Sequence, residues 1–136
     1  MPLHHLGFIV QDLKITSDFY AAALKPLGYE VAITFADGEV IGFGAGKGPD
    51  FFLSGPNSPA GKKAAEAGTG STGFHLAFAA RNREEVRQFH AAAIAAGGKD
   101  NGEPGPREHY APGYYGAFII DPEGRNIEAV YIGPDN

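Results

Sequence analysis

Cysteine is absent from this 136-residue chain. Its absence excludes disulfides, thiolate metal sites and a cysteine nucleophile, so any metal ion would have to be held by nitrogen and oxygen. Basic residues are few, 11 Lys and Arg against 16 Asp and Glu, and they form no run that could clamp a phosphate backbone. Nucleic acid is therefore not an expected partner. No apolar stretch approaches the roughly 20 residues needed to span a bilayer. The opening Met1-Pro2-Leu3-His4-His5 has neither the basic nor the apolar segment of a secretory signal. The expectation from these absences is a soluble cytoplasmic protein with no membrane partner. A chain of this length fits one compact domain, residues 1–136, and can bury about two-thirds of its unfolded surface.

What the chain does have is a repeat at a spacing of 70 residues. His5-Leu6-Gly7-Phe8 matches His75-Leu76-Ala77-Phe78, Phe19-Tyr20-Ala21-Ala22-Ala23 matches Phe89-His90-Ala91-Ala92-Ala93, and Gly28 matches Gly98. Eight identities fall between residues 5 and 28 without a gap. Self-similarity of this kind marks one supersecondary unit used twice. The halves are expected at about residues 3–54 and 73–132, joined by a linker at about 55–72 that is rich in Gly, Pro, Ser, Ala and Lys.

The patterning assigns elements within each half. Leu3 to Val10 is a short apolar strand, ended by Gln11-Asp12 as a helix cap. Phe19, Ala23 and Leu27 recur every four residues and predict a helix over 13–27, closed by Gly28. Tyr29–Phe35, Glu39–Phe43 and Asp50–Leu53 are predicted strands, the first two joined by an Asp37-Gly38 turn. The second half restarts with a strand at 74–80, a helix capped by Asn82 with Glu85 in a capping-box arrangement, and strands at 117–120 and 126–132. Residues 102–116 read as a long polar and aromatic loop, a kind of segment that more often carries function than not. The fold class expected is α+β, built from two tandem βαβββ modules.

Glu128 stands between Ile127 and Ala129 in a predicted strand, so it faces either water or a partner. If it faces inward it needs a cation, which His5 and His75 could supply through a shared metal. Two imidazoles and one carboxylate suit Zn, Ni, Fe(II) or Mn and leave coordination positions open. The competing reading is a duplicated pair of structural histidines. His4, beside His5, points to the opposite face and is expected at the surface. His90 is expected to pack at a helix edge. In the loop, Arg107 and Tyr110 flank His109, and Arg can pair a carboxylate. Superposing the halves sets Phe52 opposite Glu128, so a second carboxylate is missing there; Asp50 is best explained as a turn residue.

The opening His5–Leu13 with Phe19-Tyr20 and Leu27-Gly28, and the closing run Tyr114–Val130, together resemble the vicinal oxygen chelate superfamily. Its members include glyoxalase I, extradiol dioxygenases, methylmalonyl-CoA epimerase, fosfomycin-resistance enzymes and bleomycin-binding proteins, and the glyoxalase-like branch is the better match. The resemblance implies paired βαβββ modules forming a cupped sheet around a divalent metal. It places His5, His75 and Glu128 at the metal-ligand positions, with Glu128 also the catalytic candidate. Phe52 occupies about the place where glyoxalase I carries a further glutamate, which sets this chain apart from that enzyme.

Three functions are compatible with these residues. The leading one is a metal-dependent enzyme of lyase or isomerase type that chelates a small oxygenated substrate, with Arg107, His109, Tyr114, Tyr115 and Phe52 shaping the pocket. The others are an Fe(II) extradiol-type dioxygenase and a non-enzymatic small-molecule binder of the bleomycin-resistance type. The resemblance also implies a homodimer.

Overall fold

The computed structural model describes residues 3–67 and 75–135. It contains two four-stranded mixed sheets of identical order, β1-β4-β3-β2 and β5-β8-β7-β6. The first is built from β1 (Leu6–Ile9), β2 (Glu30–Phe35), β3 (Val40–Gly44) and β4 (Phe51–Ser54), with α1 (Leu13–Ala23) after β1. The second uses β5 (His75–Ala79), β6 (Lys99–Pro106), β7 (Tyr114–Ile120) and β8 (Asn126–Ile132), with α3 (Arg83–Ala95) after β5. In each sheet the first and last strands pair in parallel, β1 with β4 and β5 with β8, and the remaining pairs are antiparallel. The α+β class with tandem βαβββ modules is thus present, as two sheets rather than one.

Helix ends follow the sequence. Asp12 accepts from the Ile15 amide and Asn82 from the Glu85 amide, each satisfying a first-turn donor. The expected capping box is half made, because the Glu85 carboxylate turns to the Arg81 backbone amide and guanidinium. The helix expected over 13–27 divides into α1 and a short 3-10 turn at Lys25–Leu27, where Pro26 interrupts α-helical bonding, and Gly28 closes it with φ of 84°. The linker carries a full helix, α2 (Pro59–Ala67); the rest of the expected linker boundary lies outside the described residues.

The largest departure is the expected loop. Residues 99–106 form strand β6, and only the stretch between it and Tyr114 remains a turn. Glycines and prolines gave no strand signal there, but β6 is an edge strand that shifts register between Asp100 and Gly102 and again between Gly102 and Gly105. An edge with bulges is where a sheet tolerates residues that lack an amide proton.

Helices α1 and α3 and the covered faces of both sheets share a main core, beside a smaller cluster of Val86, Tyr115 and Ala117. Phe8, Phe51 and Leu53 meet Phe78, Phe89 and Ile127 within the main core. A buried polar clasp locks the halves together. The Tyr20 hydroxyl of α1 donates to Asp121 at 2.6 Å, and Asp121 also accepts from the amides of Glu123 and Arg125. The Arg125 guanidinium donates to the Ile9 carbonyl at 2.8 Å and lies 4.9 Å from the Phe8 ring. Glu123 accepts from the amides of Gln11 and Asp12 and from the Thr16 hydroxyl, so a turn of the second half caps the first helix of the first.

Replacing Asp121 with Ala strands the buried Arg125 and is expected to cost about 3 kcal/mol in urea unfolding; a loss below about 1 kcal/mol would contradict the clasp. Burial, and then Asp121, push the Tyr20 hydroxyl far above the ordinary 10.0. The folded state therefore favours the protonated phenol. Its contribution is complete below pH 10 and drains as pH rises above that value. Alkaline unfolding should be correspondingly shallower in Tyr20→Phe.

Candidate functional site

Strand alternation gives each sheet a face turned away from the helices. In the second sheet, Tyr114, Gly116 and Phe118 of β7 share that open face with Asn126 and Glu128 of β8 and His75 of β5; Phe118 is the register partner of Glu128. Glu128 is only 3% exposed although it lies on the open face. The side chains around it provide the cover. Tyr114 donates its hydroxyl to Oε1, and His75 Nε2 lies 3.0 Å from Oε2. The other ring nitrogen, Nδ1, is 3.0 Å from the Asn126 carbonyl.

That carbonyl can only accept, so it takes the Nδ1 proton and leaves Nε2 as the nitrogen aimed into the site. The Nε2–Oε2 contact then closes only with a cation between the two groups, a proton or a metal ion. Burial, followed by the hydrogen bond to Glu128, pushes the Tyr114 hydroxyl above the ordinary 10.0, while the Arg107 charge pulls the other way. The phenol is thereby kept as a donor. Gly116 makes the arrangement possible: a Cβ there would stand 3.0 Å from Glu128 Oε1 and 3.2 Å from the Tyr114 ring.

Other expected pocket residues are distributed around this pair. Arg107 follows β6, with its guanidinium 5.6 Å from the Phe118 ring, and His75 stacks on the same ring at 6.1 Å. His109 lies against Tyr110 at 4.2 Å, and Tyr110 against Tyr114 at 5.1 Å, an aromatic row leading outward from the site. Tyr115 does not join them. As the strand neighbour of Tyr114 it faces α3, where the Arg83 guanidinium sits 4.9 Å over its ring and Arg87 donates to its hydroxyl. Tyr131, its register partner on β8, also packs on that helix side.

The first sheet carries His5 and Phe52. His5 lies just before β1, its ring edge-on to Phe52 at 5.4 Å and its Nδ1 2.9 Å from His4 Nδ1. Phe52 lies across β3, because Gly42 has no Cβ to block its ring, and it approaches Phe35 at 6.4 Å. Ile33 and Phe35 leave 44% and 48% of their surface exposed beside it. His5 also lines a cleft of about 220 Å³ at the seam of the sheets, with Asp50, Tyr29, Ala77 and Ala79. There Tyr29 donates to Asp50, and burial followed by the Asp50 charge pushes its hydroxyl up to about 12. His90, expected at a helix edge, pairs with Asp100 at 2.9 Å.

The chain therefore brings His75 and Glu128 together, while His5 stands before β1 in the other sheet, against Phe52. Among the described residues no three His, Cys, Asp or Glu side chains converge as a metal site. The pair fits one side of a metal shell, with its tautomer set and its carboxylate held. The Glu128–Tyr114 contact gave no sequence signal, since 14 residues and a turn separate them; only the β7–β8 register brings them together.

Comparison with known families decides the wider identity. The model of the Glyoxalase/Bleomycin resistance protein/Dioxygenase superfamily matches residues 2–129. The chain belongs to this superfamily. A glyoxalase/bleomycin resistance protein from Albidiferax ferrireducens T118 is 30% identical, with a TM-score of 0.71 over 93% of this chain and 94% of that one. A family enzyme from Burkholderia phytofirmans PsJN is 20% identical, with a TM-score of 0.74 over 98% and 100%, and shares the fold. A glyoxalase-related enzyme from Fulvimarina pelagi is 21% identical, with a TM-score of 0.68 over 100% and 95%. No curated protein matched. Within the superfamily's shared fold, the first sheet here presents an aromatic wall and the second a carboxylate. No helix among the described residues is long and apolar enough to cross a membrane.

If Gly116 is bare to admit Glu128, Gly116→Ala should destabilise by about 1–3 kcal/mol. The same change in a Glu128→Ala background should cost at least about 0.5 kcal/mol less. Additive costs in chemical denaturation would mean that the two positions do not meet.

Proposed function

We propose that the chain is a glyoxalase-type enzyme that takes a small oxygenated substrate on the open face of the second sheet and moves a proton with Glu128. The observation that carries this reading is the carboxylate itself, 3% exposed and fixed on a strand between a phenol and an imidazole. A general base must be held within hydrogen-bond reach of the proton that it takes, and a residue on a strand is placed more precisely than one on a loop. Tyr114 would surrender its bond to Glu128 and donate to the oxygen on which negative charge develops. Transfer of a proton between adjacent carbons, of isomerase or lyase type, is the chemistry that such a pair can perform.

Superfamily members commonly bind divalent metals. In this chain His75 Nε2 and Glu128 would hold a Zn, Ni, Fe(II) or Mn ion, which when bound would supply a Lewis acid to two adjacent substrate oxygens. His5 reaches that set in a homodimer that lays the first sheet of one copy over the second sheet of its partner. The exposed Ile33 and Phe35 offer apolar surface for such a pairing to cover, and Phe52 would then wall the substrate.

In deuterium oxide the protein should catalyse exchange at the carbinol carbon of hydroxyacetone, read by proton NMR. Glu128→Gln should lower that rate about 100-fold or more. Exchange that survives the substitution unchanged would remove Glu128 as the base. Elemental analysis tests the metal: protein purified without added metal should carry a divalent ion, His75→Ala should lose it, and His4→Ala should keep it. Equal losses in the two variants would mean that the ligand assignment is wrong.

A further inference from the structure

Arg107 is the one expected pocket residue whose charge opposes that of Glu128, and its placement is specific. The residue is partly buried, and two donors of its guanidinium are spent on backbone, Nη2 on the Glu103 carbonyl at 2.9 Å and Nη1 on the Pro106 carbonyl at 3.3 Å. Two carbonyls hold the fork in one orientation without neutralising it, because neither is charged. A guanidinium carries five N–H donors in a plane, so others remain to be offered.

The surroundings are shaped around it. Gly102 and Gly105 of β6 provide the floor: a Cβ at either would stand 3.4 or 3.1 Å from the Arg107 nitrogens. Phe118 lies between the two chemical groups of the face, with His75 approaching its ring from the β5 side and Arg107 from the β6 side. Tyr114 donates to Glu128, the register partner of Phe118, and Arg107 lies over the Phe118 ring, so carboxylate, phenol and cation share one face. A molecule lying on this face would meet a steered cation, a phenol donor and a buried carboxylate.

We propose that Arg107 makes this face a site for small organic anions, and that the substrate is a carboxylic acid bearing a hydroxyl or oxo oxygen on the neighbouring carbon. This rests on the reading of Glu128 as the reacting carboxylate and adds the substrate class. The fork pairs a carboxylate in two parallel hydrogen bonds, and its plane sets the direction in which the rest of the molecule extends. With the acid group at Arg107, the adjacent oxygen falls towards Tyr114, and the hydrogen that Glu128 takes is the one on the hydroxyl-bearing carbon of a 2-hydroxy acid or on the next carbon of a 2-oxo acid. A neutral diol or ketol would leave the cation without a partner, so the site discriminates by charge.

The test compares lactate with hydroxyacetone, which share a three-carbon frame and differ in the carboxylate. Dissociation constants are read from amide shifts of Gly102, Gly105 and Gly116 in nitrogen-15 spectra. Lactate should bind wild-type protein roughly tenfold or more tightly than hydroxyacetone, the worth of one charge-assisted hydrogen bond. Arg107→Gln should erase the preference with the rest of the spectrum unchanged, and Arg107→Lys should restore part of it. A purely structural Arg107 would alter stability and leave the ratio between the two probes intact.

Equal binding of the probes to wild type, or a preference that persists in Arg107→Gln, overturns the proposal. The two readings also fail separately. Exchange of hydroxyacetone that depends on Glu128, without any lactate preference, sinks the anion site and leaves the base. A lactate preference that depends on Arg107, with exchange indifferent to Glu128, supports the anion site and removes the base.

Discussion

The structure depends on the clasp at Asp121. A duplicated βαβββ unit offers two similar bodies whose helices and sheets could pack in several ways, and apolar contact is non-directional. The clasp supplies the direction. Tyr20 reaches Asp121 from α1, Arg125 reaches the Ile9 carbonyl at the end of β1, and Glu123 closes the amides that begin α1. Each of these bonds links residues more than a hundred positions apart, so none can form unless the halves sit in one orientation. The same turn, Asp121-Pro122-Glu123-Gly124, joins β7 to β8 and so sets the register that lays Phe118 against Glu128. The bonds that orient the halves and the bonds that align the site therefore come from one tetrapeptide.

Duplication copied the frame and left the chemistry unequal. Both sheets have the same strand order and both first strands bear a histidine at or just before their start. The partner on the last strand decides what each histidine does. In the second sheet it is Glu128, and the imidazole is drawn into a polar contact with its tautomer set by a carbonyl. In the first it is Phe52, and the imidazole packs edge-on against a ring. One substitution at a matched position thus converts half of a pseudo-symmetric pair from a charged site to an apolar wall. Gly42 and Gly116 show how each half adapts: both are bare on the open face, one to let an aromatic ring lie down and the other to admit a carboxylate and a phenol.

Much of this was legible in the residues. The 70-residue repeat, the alternating strands and the Asp12 and Asn82 caps specify local structure through short-range patterns, and the structure contains them. The pairing of His75 with Glu128 was also accessible, because each sits on a strand whose alternation is plain. The parts that were not legible depend on long-range pairing. Strand β6 has no propensity signal, since its glycines and prolines are tolerated only because β7 offers one edge to pair with. Tyr114 and Tyr115 are indistinguishable as letters; the register of β7 sends one to Glu128 and the other to Arg87. The repeat makes His5 equivalent to His75, but equivalence within a repeat is not proximity within one chain, where His5 packs on Phe52.

That distinction bears on how the fold can be used. Residues related by a pseudo-symmetry axis meet only if they lie near it, and here His5 stands before β1 of the first sheet while Glu128 lies on β8 of the second. A single chain consequently presents two unlike open faces, one with His5 beside exposed aliphatic and aromatic side chains, the other with a cation, a phenol, an imidazole and a buried carboxylate. The polar face has its groups preorganised without the apolar one. Tyr114, Glu128 and His75 already hold each other, and Arg107 is steered by its own strand's carbonyls. Glu128 is covered by its own neighbours, but Arg107 is only partly buried, and in a wet site fixed donors lose much of their electrostatic advantage. In the proposed homodimer the apolar face of a partner copy would cover it further. In that arrangement Phe52, where the repeat would set a second carboxylate, would wall the proposed site without a second charge to draw water in.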